Sequence, residues 1–185
     1  MVLGKKFFER PTIEVAKNLI GQYLVRRHGK KIEKFIITEV EAYDGFNDKA
    51  SHASRGKTKR NTPMFGEAGR WYVYFTYGMH YMLNIVTGPK NYPAAVLIRG
   101  VEGINGPGRV TKQLKIDKIF NNKKAIPKNN LWLESNPMFE NLKPRRKVGA
   151  PAKTSELKIV NSPRIGVAYA GPVWSKKPWR FKLIS

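Results

Sequence analysis

The sequence contains no cysteine, which removes disulfides, cysteine-ligated zinc, iron–sulfur clusters and thiol nucleophiles and leaves oxygen and imidazole chemistry. It is also poor in acid: 13 Asp and Glu face 35 Lys and Arg, a net charge of +22. A folded domain tolerates such self-repulsion most readily when its working partner is a polyanion. Long apolar runs are missing as well. Behind Lys5 and Lys6 nothing reaches the length of a signal peptide, so an intracellular location is expected, cytoplasm or nucleoid in a bacterium. The uncharged stretch from Trp71 to Val86 touches the lower bound of a membrane span. Its tyrosines, Gly78, His80 and Asn84 suit a strand, a turn and a strand better, and no membrane association is expected.

What is present suffices for a core: 41% of the 185 residues are hydrophobic and 11% aromatic, a length that fits one domain over residues 1–185. Thr12 as N-cap, apolar residues at Ala16, Leu19 and Ile20, and a stop at Gly21 predict a helix over 12–20. Runs from Tyr23 to Arg27 and from Lys31 to Tyr43 flank a short basic turn and read as a hairpin. Residues 44–70 lose periodicity, and a loop of that length inside a compact domain points to a site. Beyond the aromatic hairpin, Tyr92–Val101 reads as a strand and Pro107 opens a short helix through Val110 and Leu114. Leu131–Leu133 is a compact apolar piece in a stretch of Lys, Asn and Pro, and Ile165–Ala170 and Trp179–Leu183 read as two closing strands. Strands interrupted by short helices without regular alternation predict an α+β domain, with a mixed, mostly antiparallel curved sheet and a protruding aromatic β-hairpin.

The cations gather toward the C-terminal part and in three clusters, Arg55–Arg60, Lys143–Lys147 and Lys176–Arg180. Each phosphate that such a cluster neutralises releases counterions, so log affinity would fall with log salt by about 0.9 per contact. Alternation through Phe35, Ile37, Glu39, Glu41 and Tyr43 puts two carboxylates on one face, roughly 7 Å apart. Proximity and burial would raise their pKa values, the usual way an acid or base is tuned. Composition alone favours the plainer reading that both pair with cations.

The weight shifts with a series of motifs in chain order: Glu41-Ala42-Tyr43, Ser51-His52-Ala53-Ser54-Arg55-Gly56, Tyr72-Val73-Tyr74-Phe75-Thr76-Tyr77-Gly78-Met79 and Leu97-Ile98-Arg99. Joined by Phe7-Phe8, Arg164-Ile165-Gly166-Val167 and Lys177-Pro178-Trp179-Arg180-Phe181, this ordered set resembles the alkyladenine (3-methyladenine) DNA glycosylases of the mammalian AAG type, also found in bacteria. The resemblance implies an enzyme that flips damaged purines out of duplex DNA and cuts the bond from base to deoxyribose with water. It implies that Glu41 is the base that activates the water and that Arg99 is its second anchor, with Glu39 left as a paired structural carboxylate. Tyr43 and Tyr74 would stack on the flipped base with His52 against it, Asn84 would exclude guanine by clash and an unmatched donor, and Tyr77 would wedge into the gap. Such stacking is worth about 1–3 kcal/mol per base. Tyr72 is read as a core or sheet residue, and Lys112 as a phosphate contact or a solvated lysine.

The family pattern further implies a monofunctional hydrolase; hydrolysis with Glu41 as base needs no cofactor and no metal, and the composition gives no sign of an obligate oligomer, so a monomer is expected. The connection from Arg99 to Gly106-Pro107-Gly108 is short, so helical insertions of the mammalian pattern are missing, and 117–147 matches poorly. Two other classes remain open on sequence alone. A basic RNA- or DNA-binding module without catalysis would account for the charge and the aromatics. A nuclease would need a carboxylate cluster for Mg²⁺, for which Glu39, Glu41, Asp44 and Asp48 are the candidates.

Overall fold

A computed structural model describes residues 1–142 and 157–184 of the chain. The Lys143–Lys147 cluster lies outside the described residues. The strands are β1 (Tyr23–His28), β2 (Lys31–Asp44), β3 (Trp71–Thr76), β4 (His80–Val86), β5 (Ala94–Val101), β6 (Ile104–Asn105), β7 (Leu131–Glu134), β8 (Lys158–Ser162) and β9 (Arg180–Ile184). The helices are short: α1 (Lys5–Phe8), α2 (Thr12–Leu19), α3 (Pro107–Gln113), α4 (Pro137–Leu142) and α5 (Gly171–Ser175). The nine strands form one sheet in the order β3-β4-β5-β2-β1-β7, with β6 on β5, and β9 on β2 and β8. This is the expected α+β architecture, and among the described residues every ladder between strands is antiparallel. No described helix is long and apolar enough to cross a membrane.

The long strand β2 organises the sheet. Its first half pairs with β1, while its second half lies between β5 on one side and β9 on the other. Glu39 and Glu41 therefore sit in the middle of the sheet rather than on an edge. A register shift around Glu39 interrupts the β2–β5 ladder, and neither Thr38 nor Arg99 takes part in its one-to-one pairing. Such bulges re-aim side chains, here at the point where Arg99 leaves β5. The core lies against the sheet, with Val15, Ala16 and Leu19 of α2, Val40, Ile85, Ile98 and Val110 all buried.

Three expectations change in detail. Thr12 is the first residue of α2 and Pro11 is the cap; the Thr12 hydroxyl donates to Asp44 Oδ1 at 2.8 Å and so ties the helix to the end of β2. The helix stops at Leu19, with Gly21 at a φ of +84°, where any Cβ would collide with the Phe139 ring. Residues 165–170 are not a strand: Gly166 takes a φ of +74° and Ala168–Ala170 form a 3₁₀ turn, while the edge strand is the preceding β8.

Candidate active site

Glu41 is the most confined acid of the sheet, with 0% of its side chain accessible. Its partners come from three separate parts of the chain. The Tyr43 hydroxyl donates to Oε2 at 2.9 Å, the Ile165 backbone N–H donates to Oε1 at 2.8 Å, and Arg99 Nη1 stands 3.4 Å from Oε2. Burial pushes the Glu41 carboxyl above its ordinary value, and Arg99, the Ile165 amide, the Tyr43 hydroxyl and Arg164 each oppose that rise. Glu39 lies on the same face, since one guanidinium reaches both: Arg99 Nε donates to Glu39 Oε1 at 3.0 Å, and Arg180 Nη1 does so at 3.3 Å. Glu39 is thus the paired carboxylate that the plainer reading expected.

Tyr43 links this buried acid to a recess. The recess spans about 340 Å³, open solvent at its mouth included, and is lined by Tyr43, His52, Tyr74 and Asn84, all four of the residues expected to hold a base. Alternation explains half of the arrangement: Tyr72 and Tyr74 share one face of β3, and Asn84 faces Tyr72 across the β3–β4 ladder. The rings of Tyr72 and Tyr74 are 5.1 Å apart, and His52 from the long loop meets Tyr74 edge-on at 4.6 Å. Ala50 and Ala95 line the recess with small side chains that leave room. Asn84 is buried and its Nδ2 donates to the carbonyls of Tyr72 (3.1 Å) and Met82 (3.3 Å). That orientation leaves the amide oxygen as the polar atom available to the recess.

Besides Ala50 and Ala95, three lining residues escaped sequence reasoning. Tyr72 is a core residue as expected, yet it also lines the recess and its hydroxyl lies 2.9 Å from His52 Nδ1. Its even spacing with Tyr74 was the available signal. Met64 and Tyr169 line the recess too; Tyr169 is 67% exposed at the mouth and donates to the Ala50 carbonyl at 2.9 Å. Their positions depend on long-range folding and leave no local signature.

An exposed cation borders the rings. The Arg60 guanidinium lies 4.9 Å from the centre of the Tyr74 ring and donates to the Phe75 carbonyl. Although His52 keeps one side exposed, burial of the ring and then the Arg60 charge lower its pKa to about 4, so the imidazole is neutral near pH 7. Burial raises Tyr74 to about 12, and it stays a neutral phenol. Tyr77 stands apart from these residues, 79% exposed at the hairpin tip, where it and Gly78 both take left-handed φ values of 52° and 66°. A non-glycine residue in that region is uncommon, and here the turn holds the ring out into solvent between exposed Phe75 and Met79.

The carboxylate cluster that a nuclease would need is not assembled. Asp48 is bound by Arg164, Asp44 accepts from Thr12, and Glu39 is shared by two arginines. No group of three or more potential metal ligands occurs among the described residues. Of the cationic clusters, Arg55–Arg60 is exposed, with Arg60 over the Tyr74 ring, and in Lys176–Arg180 the exposed cation is Lys176.

Comparison with known proteins finds relatives along nearly the whole chain. The model of the methylpurine-DNA glycosylase family matches residues 6–105 and 102–184. A protein of Methanocella arvoryzae is 39% identical over 97% of this chain and 91% of its own length. One from Anaeromyxobacter dehalogenans is 40% identical over 99% of this chain and 84% of its own. One from Legionella pneumophila is 39% identical over 97% and 92%. The names of all three propose them as 3-methyladenine DNA glycosylases.

Proposed function

The chain belongs to the methylpurine-DNA glycosylase family, and on that premise we propose that it removes alkylated and deaminated purines from duplex DNA with Glu41 as general base. Membership makes it a hydrolase of N-glycosidic bonds in base excision repair. The lesions proposed are 3-methyladenine, hypoxanthine and ethenoadenine, and the protein is proposed to act as a monomer inside the cell. Kinship with the mammalian AAG type rests on the shared motifs, since the three relatives described above are bacterial and archaeal.

One observation carries the reading: a fully buried carboxylate is hydrogen-bonded by the tyrosine that forms a wall of an aromatic recess. An ionised carboxylate offers about four acceptor positions. The Tyr43 hydroxyl and Arg99 occupy both on Oε2 and the Ile165 amide takes one on Oε1, so the position left for a water is on Oε1. With a flipped purine in the recess, that water attacks the anomeric carbon, its proton passes to Glu41, and the bond to the base breaks with its electron pair leaving on the base. A cationic alkylated purine departs neutral and needs no acid. Asn84, held by two hydrogen bonds, would bar the guanine amino group by its bulk; its amide oxygen, the atom those bonds leave free, would match that donor rather than oppose it. Tyr77 fills the gap left in the duplex, where extrusion costs a few kcal/mol.

The test is a duplex carrying one hypoxanthine, 3-methyladenine or ethenoadenine, incubated in EDTA and then treated with alkali. Strand breaks should appear only after alkali and vanish in Glu41→Gln while binding survives. Breaks before alkali would point to a lyase or nuclease, and binding without free base to a module without catalysis.

A further inference from the structure

Arg164 and Asp48 form the most deeply enclosed ion pair near the site, both side chains 0% accessible, in a two-pronged contact from Nη1 to Oδ2 and from Nη2 to Oδ1. Burying two charges costs several kcal/mol per ion, and such a pair is often no more stabilising than apolar residues of the same volume. Its contacts say what else it does. Arg164 donates to the carbonyl of Ala42, the neighbour of Glu41, at 2.9 Å and to that of Trp174 at 3.2 Å. Its guanidinium lies over the rings of Tyr43 and Trp179, at 4.9 and 5.0 Å. Asp48 accepts from the backbone amides of Asp44 and Ala50, both at 3.1 Å, and so shapes the start of the loop that carries His52. The residue after Arg164 is Ile165, whose N–H is spent on Glu41 rather than on a strand ladder.

We propose that Asp48 and Arg164 are positioning residues for the base: they lock the Ile165 amide onto Glu41 and the Tyr43 ring beside it. This rests on the glycosylase reading of the same site. The pair ties together by hydrogen bonds three segments that also pack against one another through Tyr43, Ala50, Val167 and Trp174: the end of β2, the loop from 44, and the stretch from 164 to 174. Arg180, through Ser162 and Pro163, holds the chain just before it. Around Glu41 the charged and titratable groups are Glu39 and Tyr43 on β2, Arg99 on β5, Arg180 on β9 acting through Glu39, Tyr74 on β3, and Arg164 and Tyr169 from the C-terminal stretch. Of these, Arg99, Arg164 and Tyr43 favour the ionised carboxylate, as does the Ile165 amide.

The experiment compares the wild type with the double variant Arg164→Met/Asp48→Asn and with Arg164→Lys. It measures single-turnover release of hypoxanthine against pH, affinity for the lesion duplex, and thermal melting. In the double variant the acid limb of the rate profile should move to higher pH and the rate at pH 7 should fall about 10²-fold, the scale of a small misplacement of a reacting group. Affinity should hold. Lysine keeps a charge but cannot make the two-pronged contact, so its limb should lie between the other two. A folded variant with altered melting and an unmoved acid limb would overturn the proposal, because a purely structural pair predicts that result. Should the double variant not fold, the limb of Arg164→Lys decides in the same way. A wild type that releases no base from any of the lesions sinks the glycosylase reading instead, a separate outcome.

Discussion

Glu41→Gln keeps the shape of a side chain that the fold encloses completely while removing its titration, and the consequences for activity and stability have opposite signs. Burial raises the carboxyl above the ordinary 4.5 in the folded protein. Below 4.5 both folded and unfolded chains hold the proton and the group exerts no pull either way. As pH rises through the window between 4.5 and the raised folded value, the unfolded chain gives up its proton first. Stability of the wild type then falls by up to about 1.4 kcal/mol per pH unit, and it levels off once the folded carboxyl has also ionised. Glutamine does not follow this course. Whatever constant offset the amide introduces against Arg99 and Tyr43, the melting difference should move in the variant's favour as pH rises. For a chain of this size each kcal/mol is about 2–4 °C in Tm. Melts at pH 4, 5, 6 and 7 at one ionic strength give the slope. Loss of a general base should at the same time cost about 10²- to 10⁴-fold in single-turnover base release. If the wild type instead gains on the variant as pH rises, Arg99 and its companions outweigh burial, Glu41 is a structural ion, and the argument for a tuned base fails.

Tyr77→Ala should reduce the preference for lesion over undamaged duplex by about five- to a hundredfold, the worth of one stacked ring, while leaving the salt slope of affinity unchanged; equal losses on both duplexes would count against insertion. Asn84→Ala should make guanine release from undamaged DNA measurable, eroding discrimination by about tenfold or more, and a guanine signal that stays at background would show that bulk at Asn84 is not the barrier. Arg60→Gln removes a cation that holds the imidazole down, so the His52 pKa should rise from about 4 yet stay below 6.5 because burial remains; an NMR titration that finds no upward movement refutes that assignment.

The parts of the fold that the sequence discloses are those in which local pattern and long-range packing agree. The strands β2, β3 and β4 are legible because they are runs of β-branched and aromatic residues, buried at consecutive positions over much of their length, with short turns between β1 and β2 and between β3 and β4. The edge strand β8 is illegible for the opposite reason: Lys158, Ile159, Val160 and Asn161 are all exposed, and only pairing with β9 makes the segment extended. Thr12 carries the right chemistry for a cap, but Asp44, distant in sequence, competes for the same hydroxyl. Within the site, Tyr43, His52, Tyr74 and Asn84 are recognisable through motif order, and the recess brings all four together.

Harder to foresee is how the carboxylate is held. Residues 165–170 look like a strand because Ile165, Val167 and Tyr169 are spaced by two, and nothing local says otherwise except Gly166. Yet a strand there would commit the Ile165 amide to a neighbouring carbonyl, whereas the structure gives that amide to Glu41. The failed strand and the engaged carboxylate are therefore one fact seen from two ends. A bend at Gly166, anchored on one side by Arg164, frees a backbone donor for the acid in the middle of the sheet. The same reasoning sets an order of sensitivity along the segment: Gly166, held at a positive φ with open space around its Cα, should tolerate alanine sterically but resist it conformationally. Its loss should reach Glu41 through Ile165 before it reaches the recess.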